Sequence, residues 1–281
     1  GSRNQNFRGQ TVMERYAEMF TRLDAKNEGA FVPFVMIGDP DLAQSEAVIC
    51  QLVESGADAL ELGIPYSDPI ADGPTIQAAS IRAHKSQVSV ANCFELLTRV
   101  RSKYPQVPIG LLLYSNLVMA QSIDGFYKKA SDAGVDSILI ADVPIREAAP
   151  FQKAADANGI SQILIAPPNA TDETMEKIGE YSKGYTYLLG RAGVTGAETA
   201  VEIPAAELIA RLTAHKCAPP LLGFGISTPA QVKSAIDAGA AGAISGSATV
   251  NLIAANLDNN DAMLSALGEF VQSMKAATAK G

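Results

Sequence analysis

Short apolar runs alternate with amphipathic stretches along almost the whole chain. The first run, residues 31–37 (FVPFVMI), is apolar throughout, which is typical of a strand covered on both faces of a parallel sheet. Seven further runs have strand length. They are residues 59–64, 108–114, 135–140, 160–166, 184–189, 221–224 and 240–245. The pattern therefore predicts eight buried strands.

The stretches outside these runs carry apolar residues at helical spacing. An amphipathic helix over residues 13–26, with Tyr16, Met19 and Leu23 on one face, precedes the first strand. After the last strand, a short helix is predicted just beyond residue 245. The other predicted helices are residues 42–55, 75–84, 90–103, 122–132, 146–158, 172–181, 204–215, 229–238 and 261–277.

This alternation predicts the α/β class. Eight βα units in about 250 residues favour a single closed (β/α)₈ barrel, a TIM barrel, with one extra N-terminal helix. An open dinucleotide-binding sheet is disfavoured because no GxGxxG follows the first strand. In such barrels the active site lies at the C-terminal ends of the strands.

Helix boundaries are signalled locally. Thr228, followed by proline and then by Gln231 three residues after the threonine, forms a capping-box pattern. Glycines close to the ends of three predicted helices indicate C-terminal stops. They are Gly56, Gly134 and Gly239.

Composition narrows the class of protein. The chain has 281 residues, 47% of them hydrophobic, and a net charge of −8, which argues against a nucleic-acid partner. No linker or charge block divides residues 13–281, which we predict to be one catalytic barrel domain, whereas residues 1–12 look like an added, disordered extension. No apolar run approaches the ~20 residues of a membrane span. Three scattered cysteines and two histidines favour a cytoplasmic protein without a metal site.

Two carboxylates mark one candidate site. Glu61 interrupts the apolar run 59–64, and an unpaired buried charge there would be costly. It therefore lies at the wet end of the strand, is paired with a neighbour, or belongs to a site that uses it. Asp72 follows eleven positions later on the next loop, and Asp68 lies between them; both are also ordinary turn residues. Two carboxylates that converge on one cleft would suit acid–base chemistry.

Three other loops are candidates for binding. Residues 190–203 form a long loop with three glycines, as expected of a lid. The loops at 223–227 and 245–247 carry glycines after the last two strands, where barrels often bind phosphate through backbone N–H groups. Turns also require glycine, so each loop alone has a purely structural alternative. The same holds for Tyr187, which could be a core aromatic residue.

Longer segments resemble the α subunit of tryptophan synthase. The resemblance is carried by LELGIPYSDPIADGPTIQ, GYTYLLGRAGVTGAE and PPLLGFGIS, together with shorter segments in the same order over nearly all of residues 13–280. It implies a (β/α)₈ lyase that splits indole-3-glycerol phosphate into indole and glyceraldehyde 3-phosphate in tryptophan biosynthesis. It further implies a β subunit partner in an α₂β₂ tetramer, with pyridoxal phosphate in that partner and no cofactor in this chain.

The resemblance also implies roles for individual residues. Glu61 matches the catalytic glutamate, a proton donor to indole C3 and base at the side-chain hydroxyl, and Asp72 matches the aspartate that accepts the indole N–H. Tyr187 matches a position close to Glu61 and substrate, and Thr195 of the lid would contact Asp72 on closure. The implied phosphate site comprises Gly196, Phe224, Gly225, Gly246 and Ser247. The implied indole pocket comprises Phe34, Ile76, Leu112 and Leu139. The implied partner surface includes Pro65, Asp68 and Asn116.

Three alternative functions remain open at this point. Another phosphate-binding barrel, such as a phosphosugar isomerase or epimerase, would use the same phosphate loops but not both carboxylates beside an indole-sized apolar pocket. A non-catalytic subunit that only activates its partner would not need Glu61 and Asp72. A free-standing indole-producing lyase would have the same residues, so the sequence hardly distinguishes it.

Overall fold

A computed structural model describes residues 15–65, 73–190 and 203–281 of the chain. Within these residues, nine parallel strands form one sheet with the order β5-β4-β3-β2-β1-β9-β8-β7-β6. The strands are β1 Ala30–Met36, β2 Leu60–Gly63, β3 Ile109–Leu113, β4 Ser137–Ile140, β5 Ser161–Gln162, β6 Leu164–Ala166, β7 Thr186–Leu188, β8 Pro220–Leu222 and β9 Gly242–Ser245.

The two strands at the ends of this order are halves of one run. β5 pairs with β4 through Ser137 and Ser161, and β6 pairs with β7 through Leu164 and Thr186. Ile163, between the halves, donates its N–H to the carbonyl of Ile138 at 2.9 Å. The run 161–166 therefore joins the two ends of the sheet, and the predicted (β/α)₈ barrel of eight βα units is confirmed.

Helices follow the strands around the outside of the barrel. Residues 15–26 lie in the first helix, α1. The others are α2 Leu42–Glu54, α3 Pro74–Lys85, α4 Val90–Lys103, α5 Ser115–Ala120, α6 Ile123–Asp132, α7 Ala149–Ala157, α8 Asp172–Tyr181, α9 Ala205–Ala214, α10 Pro229–Asp237, α11 Ser247–Ala255 and α12 Asn260–Ala276. Among these helices, none is long and apolar enough to cross a membrane.

The predicted helix boundaries hold where a local signal exists. Thr228 and Gln231 form the capping box at the start of α10, and the three stop glycines adopt positive φ angles. Sequence reasoning missed α5 in the loop after β3. This helix has only six residues, and Tyr114 at its N-cap makes no side-chain capping bond, so neither periodicity nor a cap signals it.

Helix α1 closes the N-terminal end of the barrel. Its apolar face, with Tyr16, Met19 and Leu23, is buried against the interior of the barrel, as its periodicity predicts. The interior side chains that it covers include Ala30, Ala59 and others near the N-terminal ends of the strands. Helix α1 thus covers the interior of the barrel at this end.

An ion cluster fixes α1 to the barrel. The carboxylate of Asp136, directly before β4, is fully buried and accepts hydrogen bonds from Arg15 of α1 at 2.8 Å and Arg101 of α4 at 2.7 Å. It also accepts the backbone N–H of Ile109 at 2.8 Å. Removing one partner of a buried ion pair leaves the others uncompensated, which makes this cluster costly to disrupt.

We expect the Asp136→Asn change to lower the free energy of unfolding by about 3 kcal/mol, because two buried guanidinium groups lose their carboxylate. Urea titration would measure this loss. The matched control is Glu46→Gln, which breaks an exposed pair with Arg99 of similar length, 2.6 Å, and should cost only ~0.5 kcal/mol. Equal losses in the two variants would contradict a structural role for the Asp136 cluster.

Candidate active site

The register of neighbouring strands places the site residues on one level of the barrel. Phe34 of β1 pairs with Glu61 of β2, Glu61 with Gly110 of β3, and Gly110 with Ser137 of β4. Paired residues in parallel strands face the same side of the sheet, so this row lies on the inner face. Glu61 is therefore inside the barrel wall and not at a solvent-exposed strand end.

Glu61 is buried and has no cationic partner in the described part of the chain. Its side chain is 1% exposed; Oε1 accepts a hydrogen bond from the Tyr185 hydroxyl at 2.7 Å, and Oε2 has no hydrogen-bond partner there. Burial raises the pKa of Glu61 to about 7, although the bond from Tyr185 acts in the opposite direction. At neutral pH this carboxyl group can therefore both donate and accept a proton.

Two tyrosines and a serine pack between Glu61 and the N-terminal end of the barrel. The Tyr185 ring packs on the ring of Tyr16 from α1 with their centroids 5.5 Å apart, and the Tyr16 hydroxyl is 2.7 Å from Ser137 Oγ. Sequence reasoning missed Tyr185, although the spacing of Tyr185 and Tyr187 in the run 184–189 would place both on one face of a strand. Helix α1 at the N-terminal end of the barrel is thus linked to Glu61 through Tyr16 and Tyr185.

Two glycines make room for the polar side chains. A Cβ at Gly110 would lie 2.5 Å from Glu61 Oε1 and 2.6 Å from Ser137 Oγ. A Cβ at Gly223 would lie 2.5 Å from the Tyr187 ring. Both contacts are closer than real Cβ atoms allow, so a side chain at either position would force Glu61, Ser137 or Tyr187 to shift. The sequence alone did not reveal either position.

Tyr187 is half-buried on β7 near Glu61. Its hydroxyl donates a hydrogen bond to the carbonyl of Gly223 at 2.7 Å. Burial and the neighbouring Glu61 carboxylate raise the pKa of Tyr187, so its hydroxyl stays protonated at neutral pH. The hydrogen bond to Glu61 comes from Tyr185, two residues earlier.

The four predicted indole-pocket residues form adjoining apolar clusters. Phe34, Ile76 and Leu112 pack in one cluster. Leu139 belongs to the interior cluster of the barrel, and Leu112 packs against that cluster as well. An apolar wall therefore continues from Phe34 to Leu139 beside Glu61.

The two predicted phosphate loops lie together. Ser245 Oγ donates a hydrogen bond to the carbonyl of Ile226 at 2.7 Å, which ties the loop after β9 to the loop after β8. Gly225 has φ of 70°, and Phe224 is 46% exposed. Gly246 is the N-cap of α11, whose first residue is the exposed Ser247.

This geometry suits an anion. The first N–H groups of α11 have no partner within the helix, and its dipole favours negative charge at that end. A Cβ built on Gly246 would lie 4.0 Å from Phe34 Cβ, so the N-terminus of α11 adjoins the apolar pocket. An elongated ligand with an anionic end and an apolar end fits this arrangement.

Four predicted site residues lie outside the described residues. They are Asp68, Asp72, Thr195 and Gly196. The helix that follows Asp72 is held firmly, because Arg82 of α3 forms two hydrogen bonds with the buried Asp39 after β1, at 2.6 and 3.0 Å.

The two described residues of the predicted partner surface differ in exposure. Pro65 is buried, and its carbonyl accepts a hydrogen bond from Ser80 Oγ at 2.9 Å. Asn116 is exposed on α5, on the same helix as Met119, whose side chain is 59% exposed.

Over residues 15–65, 73–190 and 203–281, no group of three His, Cys, Asp or Glu residues could hold a metal ion.

The closed barrel contains the buried carboxyl group of Glu61, and the N-terminus of α11 adjoins the apolar pocket beside it. These features define a (β/α)₈-barrel enzyme suited to acid–base chemistry. A family model described as "Tryptophan synthase alpha chain" matches residues 20–279. The chain therefore belongs to the tryptophan synthase alpha chain family.

Individual relatives agree with this assignment. A tryptophan synthase alpha chain of Photobacterium profundum is 64% identical over 95% of this chain and 99% of the relative, and one of Escherichia coli is 57% identical over the same shares. Among solved structures, a tryptophan synthase alpha chain from Legionella pneumophila has a TM-score of 0.83 at 29% identity, covering 94% of this chain and 97% of that one.

The raised pKa of Glu61 predicts that this residue destabilises the folded protein increasingly as the pH rises. A carboxyl group with a pKa near 4.5 in the unfolded chain and about 7 in the folded protein holds its proton more tightly when folded. The contribution of Glu61 to stability should therefore fall by about 3 kcal/mol as the pH rises from 4.5 to 7. Glu61→Gln cannot ionise, so its stability relative to wild type should rise over that window and stay constant above it.

Urea titrations at several pH values between 4.5 and 8 would measure this difference. Glu269→Gln, at an exposed position of α12, is the matched control and should show no such trend. If the difference between Glu61→Gln and wild type did not change with pH, Glu61 would not be the buried, proton-binding group described above.

Proposed function

We propose that Glu61 and Asp72 are the acid–base catalysts for the reaction of the tryptophan synthase alpha chain, the retro-aldol cleavage of indole-3-glycerol phosphate to indole and glyceraldehyde 3-phosphate. The chain is accordingly a lyase of tryptophan biosynthesis. The observation that carries the catalytic proposal is Glu61, buried inside the barrel with a pKa of about 7 and no compensating cation among the described residues.

The chemistry requires one group to give and then take a proton. Glu61 donates a proton to indole C3, which breaks the aromaticity of the ring and makes the C–C bond to the side chain cleavable. The resulting Glu61 carboxylate removes the proton of the side-chain hydroxyl. The oxygen then forms the carbonyl of glyceraldehyde 3-phosphate, and the electron pair of the broken C–C bond returns to the indole ring. Glu61 ends the cycle protonated, as it began.

Asp72 has a complementary role in this proposal. It accepts a hydrogen bond from the indole N–H and stabilises the positive charge that develops on the protonated ring. Two carboxyl groups held in different environments can take these two different roles. Each such group contributes about 10²–10⁴-fold to the rate.

The remaining site residues would position the substrate. The indole ring would lie against Phe34, Ile76, Leu112 and Leu139, beside Glu61. The phosphate would be held by backbone N–H groups of Gly225, Gly246 and Ser247 near Phe224, with Gly196 from the lid. Tyr187 would border the reacting side chain, and Thr195 would contact Asp72 when the lid closes.

A β subunit is the partner of this chain. One solved relative, 33% identical with a TM-score of 0.78 over 88% of this chain and 98% of its own, is described as part of the tryptophan synthase α₂β₂ complex of Pyrococcus furiosus. We assign Asn116, Asp68 and Pro65 to the surface that faces the partner, with pyridoxal phosphate in the β subunit and no cofactor in this chain. A cytoplasmic location is a further prediction.

Two of the alternative functions do not explain the features of the site. A phosphosugar isomerase or epimerase does not account for the apolar wall beside Glu61. A purely regulatory subunit does not account for a buried carboxyl group that destabilises the fold at neutral pH. Both features, the apolar wall and the destabilising carboxyl group, are explained if Glu61 is retained to act on a substrate with an apolar ring.

Indole release from indole-3-glycerol phosphate, with and without a β subunit, tests the proposal. We expect the wild type to release indole and Glu61→Gln to lose at least ~10²-fold in kcat while it still binds the substrate. Glu269→Gln serves as the control and should keep the wild-type rate. A Glu61→Gln variant with near wild-type turnover would remove Glu61 from the mechanism, and no indole release by the wild type in either condition would refute the lyase assignment.

Gly110 offers a second test, because it does not touch the substrate in this proposal. We expect Gly110→Ala to displace the Glu61 carboxyl group and to lower kcat by about 10²-fold with a smaller effect on substrate binding. The control is Gly268→Ala, whose Cβ would similarly meet the end of a flexible side chain, Gln51 Nε2 at 2.8 Å, away from the site. Equal kcat values for the two variants would contradict the positioning role of Gly110.

A further inference from the structure

A second cavity lies outside the barrel wall, between α7 and α8. It has a volume of about 500 Å³, within the range of small-molecule sites. Leu164 of β6 lines the cavity, and its side chain packs in the core between the strands and the helices. The neighbouring Ile163 and Ile165 pack instead in the interior of the barrel. The barrel wall thus separates this cavity from the site that contains Glu61.

The lining combines an apolar body with unpaired positive charge. Ile145, Leu164 and the ring of Tyr181 supply apolar surface. Arg146 and Lys153 also line the cavity, and neither has a carboxylate within ion-pair distance in the described part of the chain.

The other charged groups at this cavity are already paired. The carboxylate of Asp156 lies 2.6 Å from Lys183 Nζ, and Lys177 lies 3.7 Å from Glu173. Asp156 therefore does not neutralise Arg146 or Lys153. An incoming anion would meet cations whose charge no described neighbour compensates.

Gln152 adds a polar group to the lining of the cavity. It lines the cavity, its Nε2 donates to Asp156 Oδ1 at 3.2 Å, and its buried Oε1 has no hydrogen-bond partner among the described residues. A buried acceptor without a partner costs free energy, which a donor on a ligand would recover.

We propose that this cavity binds a small organic anion with an aromatic or branched apolar body and a hydrogen-bond donor. The apolar body packs on Leu164 and Tyr181, the anionic group faces Arg146 and Lys153, and the donor reaches Gln152. Burial of the apolar body supplies most of the affinity, and the two cations supply the selectivity for an anion.

The test compares two dyes with the same aromatic body. 8-Anilinonaphthalene-1-sulfonate is anionic and carries one N–H donor, whereas N-phenyl-1-naphthylamine has the same body and donor without the sulfonate. Each is titrated into the full chain and followed by its fluorescence, in the presence of excess indole and inorganic phosphate to occupy the barrel mouth. The structure predicts that the anionic dye still binds under these conditions and binds more tightly than the neutral one.

Matched variants separate this cavity from general surface binding. Arg146→Glu with Lys153→Glu should weaken the anionic dye about tenfold and leave the neutral dye within about twofold. Lys26→Glu with Lys216→Glu makes the same change in net charge at exposed positions elsewhere and should leave both dyes unchanged. Indole release by each variant, expected at the wild-type rate, shows that the barrel remains folded.

Three results would overturn the proposal. The first is complete displacement of the anionic dye by indole and phosphate, which would place it in the barrel mouth. The second is equal weakening of the dye by both charge-reversal pairs. The third is equal affinity of the wild type for the two dyes.

Discussion

An ionisable carboxyl group held inside the barrel wall, with no cation beside it among the described residues, is the constraint on which the rest of this structure depends. Glu61 is costly in its charged form because burial is not compensated by a described positive charge. It stays in place because a neighbouring strand offers Gly110, which leaves room for the carboxyl group, and because Tyr185 donates a hydrogen bond to it. The same burial that destabilises the fold brings the pKa of Glu61 close to neutrality.

The N-terminal end of the barrel is what makes this burial possible. Helix α1 seals the interior through Tyr16, Met19 and Leu23, and the Asp136 cluster holds the helix in place. Tyr16 also supports the ring of Tyr185, which bonds Glu61. In barrels the N-terminal face usually serves stability and the C-terminal face chemistry. Here one chain of contacts links the two faces, so a change in α1 reaches the carboxyl group of Glu61.

The parts of this structure that depend on local sequence could be predicted, and those that depend on contacts between distant strands could not. Periodicity identified the eight βα units, and a charge within an apolar run identified Glu61. The roles of Gly110 and Tyr185 follow from strand register and from the closure of the barrel, which no local pattern encodes. The short helix α5 lacks both the length and the cap that would reveal it.

The proposed mode of anion binding at the mouth of the barrel is compatible with the raised pKa of Glu61. The loops at 223–227 and 245–247 contain no lysine or arginine, so their phosphate ligand would be held by backbone N–H groups and the dipole of α11. A lysine or arginine within ~4–6 Å of Glu61 would favour its ionised form and lower its pKa. Backbone donors hold an anion without placing a full positive charge beside the carboxyl group. In the proposed mechanism, a bound phosphate would add negative charge to the mouth, which would favour the protonated form of Glu61 and keep the proton available for transfer to the ring.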